Sequence, residues 1–110
     1  MRRSEIWTVS GGPGYAGKPR PAVIIQDDRF DSNSVTTCPF TTDPIDAPFS
    51  DCRSKSRESN ELTAESRLMV DKITTVRRSK LGDQIGMLDD ADVVRLNRAL
   101  VLFLGIAGSG

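Results

Sequence analysis

A helical repeat appears once in this chain, and it comes last, over Asp90 to Leu104. Val93, Leu96, Leu100 and Phe103 fall on one face at i, i+3, i+7 and i+10. Asp89 fits the N-cap, and Asp92 suits the positive end of the helix dipole. Leu88 and Val93 are placed to form a hydrophobic staple, and Gly105 is a natural residue just past the C-cap. The final turn, Ala99-Leu100-Val101-Leu102-Phe103-Leu104, is apolar on every side. A helix end with no polar face needs two apolar neighbours: one is the chain's own sheet, and a second subunit is the natural other.

Upstream of that helix, glycine, proline and polar clusters cut the chain into short extended runs. Glu5-Ile6-Trp7-Thr8-Val9 alternates polar and apolar residues, the pattern of a half-buried strand. Ser10 to Lys18 holds four glycines and a proline and reads as a mobile loop. Pro21 to Gln26 is a β-branched run suited to a central strand, and Val35 to Phe40 is the next strand after a turn at Asp31 to Ser34. Thr42 to Glu61 is mostly polar, with prolines at 44 and 48, and reads as a long loop with an edge strand near Phe49 to Arg53. Ser66 to Ile73 predicts one further strand and Gln84 to Leu88 a short last one. Short strands followed by one helix predict a mainly β (α+β) fold: a small, strongly bent barrel with an appended helix.

At 110 residues, the chain is read as a single domain over 1–110, with Ser109-Gly110 fitting an artificial appendage. A chain this small buries a modest share of its surface, which favours an oligomer. No apolar run follows Met1-Arg2-Arg3 and none is long enough to span a membrane, so the expectation is a cytoplasmic protein with no membrane partner. Cys38 and Cys52 then read as reduced thiols. The net charge is zero but unevenly spread: residues 66–83 carry five basic and two acidic side chains, while residues 41–65 carry three and six. A neutral total argues against coating nucleic acid by bulk charge and leaves room for a local basic groove. There is no histidine. The commonest general acid–base and the commonest metal ligand are both missing, and no bound metal or other cofactor is expected.

Gly12 to Lys18 matches the first seven positions of a phosphate-binding P-loop, but the eighth, which should be Ser or Thr, is Pro19. The run also leads into a strand rather than a helix, so it reads as a strand connection able to close over a substrate.

Several segments taken in order carry a more specific signal. They are Arg2-Arg3-Ser4-Glu5-Ile6-Trp7, then a glycine-containing loop into Lys18-Pro19-Arg20-Pro21-Ala22-Val23-Ile24-Ile25-Gln26. Cys38-Pro39-Phe40-Thr41-Thr42 follows, then Leu68-Met69-Val70-Asp71-Lys72-Ile73-Thr74-Thr75-Val76. Lys80-Leu81-Gly82 and Ile85-Gly86-Met87-Leu88 lead into the hydrophobic helix. Over residues 2–106 this series closely resembles the MazF/PemK toxins of type II toxin–antitoxin systems. The resemblance implies a homodimer of SH3-like barrels that cleaves single-stranded RNA and is restrained by a cognate antitoxin peptide.

By the same resemblance, Arg20 and Thr41 form the reactive pair and Asp71 matches an acidic position used by PemK-like members. Those members carry an arginine where Met69 stands, and others carry glutamine and arginine at Lys72 and Thr74. Lys18, Thr42, Lys72 and Arg77 are the candidate RNA contacts. The chemistry is sound without histidine. A guanidinium presents a planar fork of donors to a phosphoryl group, and preorganised donors of this kind supply much of an enzyme's rate enhancement. The nucleophile is then the RNA's own 2′-hydroxyl, which spares DNA and leaves a 2′,3′-cyclic phosphate and a 5′-hydroxyl.

The same residues fit plainer roles. Asp71 and Lys72 suit a structural ion pair, Arg77, Arg78 and Lys80 a solvated turn, and Trp7 the core or a subunit interface. The alternative activity is gyrase poisoning by a CcdB-like toxin of the same fold, without nuclease activity. That activity needs a tryptophan–glycine–isoleucine tip, of which Leu104-Gly105-Ile106 keeps only the last two residues.

Overall fold

The computed structural model describes residues 2–10, 19–42, 53–54 and 66–106. The P-loop-like run with Lys18, most of the Thr42–Glu61 loop with Cys52, and the Ser109-Gly110 tail lie outside the described residues. Among the described residues seven strands precede one α-helix: β1 (Glu5–Val9), β2 (Arg20–Ile24), β3 (Ser34–Thr41), β4 (Arg53–Ser54), β5 (Ser66–Leu68), β6 (Thr74–Arg77), β7 (Leu81–Met87) and α1 (Asp90–Phe103). Their order in the antiparallel sheet is β4-β5-β3-β2-β1-β7, with β6 also paired to β3. The expected mainly β fold with a C-terminal helix is the fold observed.

β3 is the centre of the molecule. On one side it pairs β2, with Ala22 opposite Pro39, Val23 opposite Cys38 and Ile24 opposite Thr37. On the other side, its first half pairs β6 and its last two residues pair β5. The core fills one face: Ile6, Val23, Cys38, Phe40 and Leu68 meet Leu88, Leu96 and Leu100, with Val93 packed against them. Ala22, Ile24, Val35 and Thr37 point the other way by strand alternation yet are also buried, so the sheet curves round its second face.

Residues 66–73 do not form the single strand that their apolar content suggests. Met69 donates its amide to the Pro39 carbonyl at 2.8 Å, whereas Thr74 stands opposite Thr37. Five steps along the chain therefore cover two along β3, and a 3-10 turn over Val70–Lys72 takes up the excess. Val70 enters the core from that turn, which keeps the hydrophobic pattern strand-like although the backbone is not.

The helix ends where the local signals place it. The Asp89 side chain accepts from the Asp92 amide at 2.9 Å. Gly105, at φ 73°, donates to Leu102, and Ile106 donates to Val101, completing a Schellman motif. The expected inward face holds at Val93, Leu96 and Leu100 but not at Phe103, which is exposed because the helix's last turn runs past the core.

Candidate active site

Arg20 opens β2 and Thr41 closes β3. The β2–β3 pairing ends at Ala22 opposite Pro39, two residues short of Arg20 and Thr41, so both stand near the same end of the strand pair. By strand alternation Arg20 shares the face of Ala22 and Thr41 that of Pro39, the face away from the helix. Arg20 is exposed, and Thr41, partly buried, lies opposite Arg67 of β5 on its other side.

Arg20 also borders a cavity of about 250 Å³. Ala22, Pro39 and Val76 give its walls an apolar character, Thr37 and Thr74 bring hydroxyls, and Lys80 adds a second cation. The Ser10 amide donates to the Lys80 carbonyl at 2.8 Å, tying the end of β1 to the turn before β7. Thr37 donates from Oγ1 to the Thr74 carbonyl at 3.3 Å. Apolar walls edged by cations suit a ligand that is flat and apolar on one side and anionic on the other. A nucleotide has that form.

The other expected site residues are spread more widely. Thr42 follows Thr41 and is exposed. Asp71 and Lys72 lie in the 3-10 turn and pair with each other, Nζ to Oδ2 at 3.1 Å, and neither lines the Arg20 cavity. The Asp71 Oδ1 is buried without a hydrogen-bond partner. Arg77, at the end of β6, borders a separate hollow with Asn33 and Ser34. Lys18 lies outside the described residues. Among the described residues no three His, Cys, Asp or Glu side chains gather as a metal site.

Two basic residues near the site are not singled out by the sequence. Lys80 reads as part of a solvated turn but lines the cavity, and Arg67, counted only within the basic 66–83 segment, lies opposite Thr41. Trp7 lies opposite Ala22, partly buried, with Nε1 donating to Glu5 Oε1 at 3.1 Å.

A family model for the PemK-like, MazF-like toxins of type II toxin–antitoxin systems matches residues 2–104. The chain belongs to this family. It is 51% identical over 109 residues to a probable endoribonuclease MazF of Mycolicibacterium smegmatis, covering 98% of this chain and all of that protein. With that likeness across almost the whole chain, the protein is an enzyme of the endoribonuclease class. Among solved structures it superposes on the Mycobacterium tuberculosis toxin MazF-mt6 with a TM-score of 0.76 at 22% identity, covering 92% of this chain and 96% of that one. It also superposes on a mycobacterial endoribonuclease in complex with its cognate antitoxin, with a TM-score of 0.71 at 23% identity, covering 96% and 93%. These two likenesses speak for the fold. No described helix is long and apolar enough to cross a membrane.

Proposed function

We propose that the protein is a cytoplasmic toxin that cleaves single-stranded RNA without a metal ion, with Arg20 and Thr41 at the scissile phosphate. What supports this reading is that the paired strands β2 and β3 bring the ends bearing Arg20 and Thr41 to one side of the sheet, where Arg20 lines a cavity of nucleotide-like character that Thr41 itself does not line. The RNA's 2′-oxygen attacks phosphorus, the bond to the 5′-oxygen breaks, that oxygen takes up a proton from water, and a 2′,3′-cyclic phosphate and a 5′-hydroxyl result. Arg20 neutralises the charge that builds on the phosphoryl oxygens, and the Thr41 hydroxyl donates to the same group.

The 2′-hydroxyl proton needs an acceptor, and a guanidinium is too weak a base to serve. Asp71 is assigned that role. It matches the acidic position of the family resemblance, and although it does not line the Arg20 cavity, its buried Oδ1 has no hydrogen-bond partner among the described residues. Lys18, Thr42, Lys72 and Arg77 hold flanking nucleotides. Two copies of the chain pair through the helix end, and a peptide-like tail of a cognate antitoxin competes with RNA for the groove.

Incubation with mixed cellular RNA in excess EDTA tests the chemistry. Cleavage should persist, and every new end should be a cyclic phosphate or a 5′-hydroxyl. Arg20→Ala and Thr41→Ala should each lower the rate by roughly 10²-fold, the effect of losing one oxyanion-type donor, with circular dichroism unchanged. Activity abolished by EDTA and restored by magnesium, or 5′-phosphate ends, would overturn the mechanism.

A further inference from the structure

Thr41 lies between two arginine positions. Arg67 is opposite it on β5, and Arg20 stands on β2 two residues past the last β2–β3 pair, Ala22 opposite Pro39. All three positions lie on one face of the sheet. Adjacent strands run about 4.8 Å apart, so the Arg20 and Arg67 backbones stand roughly 10 Å from each other with the threonine between them. Two long side chains reaching inward across that gap leave space for one tetrahedral anion above Thr41. Charge-assisted bonds of about 2.7–2.9 Å on each side would fill it.

Arg29, Arg78 and Arg95 are paired with Asp27, Asp31 and Asp92. Arg67 is partly buried, and among the described residues its side chain has no hydrogen bond or ion pair. A charge drawn partly out of water is unfavourable unless something of opposite sign meets it. Two basic positions on either side of Thr41 fit a polyanion laid across the strand ends.

We infer that Arg67 is a second guanidinium of the RNA-cleaving site, holding a non-bridging oxygen of the scissile phosphate from the side of Thr41 opposite Arg20. The inference rests on the reading of Arg20 and Thr41 given above. It makes the site a two-armed clamp. Charge growing on the phosphoryl oxygens as the 2′-oxygen attacks is met from both flanks, and the phosphorus is held in line between the attacking and leaving oxygens.

The test compares wild type, Arg67→Gln and Arg67→Lys on a short RNA carrying a mapped cleavage site, with a 2′-O-methyl version of that RNA as an uncleavable binding probe. Arg67→Gln should lower kcat by roughly 10²-fold, as loss of one preorganised donor does. It should also reduce the slope of log affinity against log salt by about 0.7, the loss of one phosphate contact on a single strand. Arg67→Lys retains a charge on a flexible stem, so it should keep the salt slope while recovering little of kcat. Thermal melts of both variants separate these effects from misfolding, and a purely structural arginine would leave the salt slope unmoved. Wild-type cleavage with Arg67→Gln retaining near-normal kcat, or with its salt slope unchanged, would overturn the role of Arg67. A wild-type protein inert towards RNA would overturn the reading of the site itself, and this inference with it.

Discussion

Burial sets the charge of Glu5 against its own neighbours. Its carboxyl is only 9% exposed, and burial by itself raises its pKa. The Arg2 amide, donating at 2.7 Å, and the Trp7 indole, donating at 3.1 Å, outweigh that and hold it below its ordinary value. A carboxylate whose pKa is lower in the folded than in the unfolded chain stabilises the fold above the unfolded value, about 4.3, and loses that contribution as pH falls through the folded one. The urea midpoint should therefore drop as pH is lowered from 5 towards 3. Glu5→Gln should lower the midpoint at pH 7 and flatten that acid limb. Trp7 is the only tryptophan, so its fluorescence reports on the same carboxylate. An acid limb identical in wild type and Glu5→Gln would place the titrating group elsewhere. At this scale the sequence is informative about residue type and silent about apposition. Arg20 and Thr41 are named by resemblance, but that they stand at the same end of the β2–β3 pair depends on a pairing between strands that no local spacing encodes. Arg67, placed by the same kind of long-range pairing, is not legible at all.

Elements were legible where their signals are local. Asp89 and Gly105 bracket the helix because a capping side chain and a left-handed glycine act on their immediate neighbours. Strand β1 has the bounds its sequence predicts, though burial along it does not alternate: Glu5 and Ile6 are both buried and Trp7 to Val9 are all partly so. Strand β6 shows no such alternation, since Thr74, Thr75 and Arg77 are all exposed, and it exists because β3 offers it a ladder. The β1–β7 pair likewise depends on a contact that no pattern announces. Its register slips twice, and at Gly82 the strands approach so closely that an added Cβ would collide with Thr8 Oγ1. That same oxygen accepts from the Asp83 amide at 2.9 Å. Gly82→Ala should cost about 1–3 kcal/mol, the range for inserting a methyl into occupied space. Thr8→Ala removes the atom in the way, so the double variant should be less destabilised than the sum of the two single changes. Strict additivity in urea melts would show that the close approach is not what constrains Gly82.

At the scale of the whole molecule, one sheet cannot cover one helix end. Leu96 and Leu100 are buried in the core, but Leu102, Phe103, Leu104 and Ile106 are 64, 45, 55 and 67% exposed. Fully burying a large apolar side chain is worth roughly 1.5–3 kcal/mol, so this cluster is a strong drive towards association. Its position at the end of the one α-helix among the described residues lets two copies meet about a two-fold axis, each offering the same patch, the commonest way for soluble chains to pair. The wild-type protein should therefore sediment at micromolar concentration as twice its 12.0 kDa monomer. Leu102→Glu and Leu104→Glu change side chains that touch little within the single chain. Each should yield a folded monomer by circular dichroism, and RNA cleavage should fall with the loss of the dimer. If the wild type runs at 12.0 kDa and still cleaves RNA, the helix end has another partner and the site is complete within one chain.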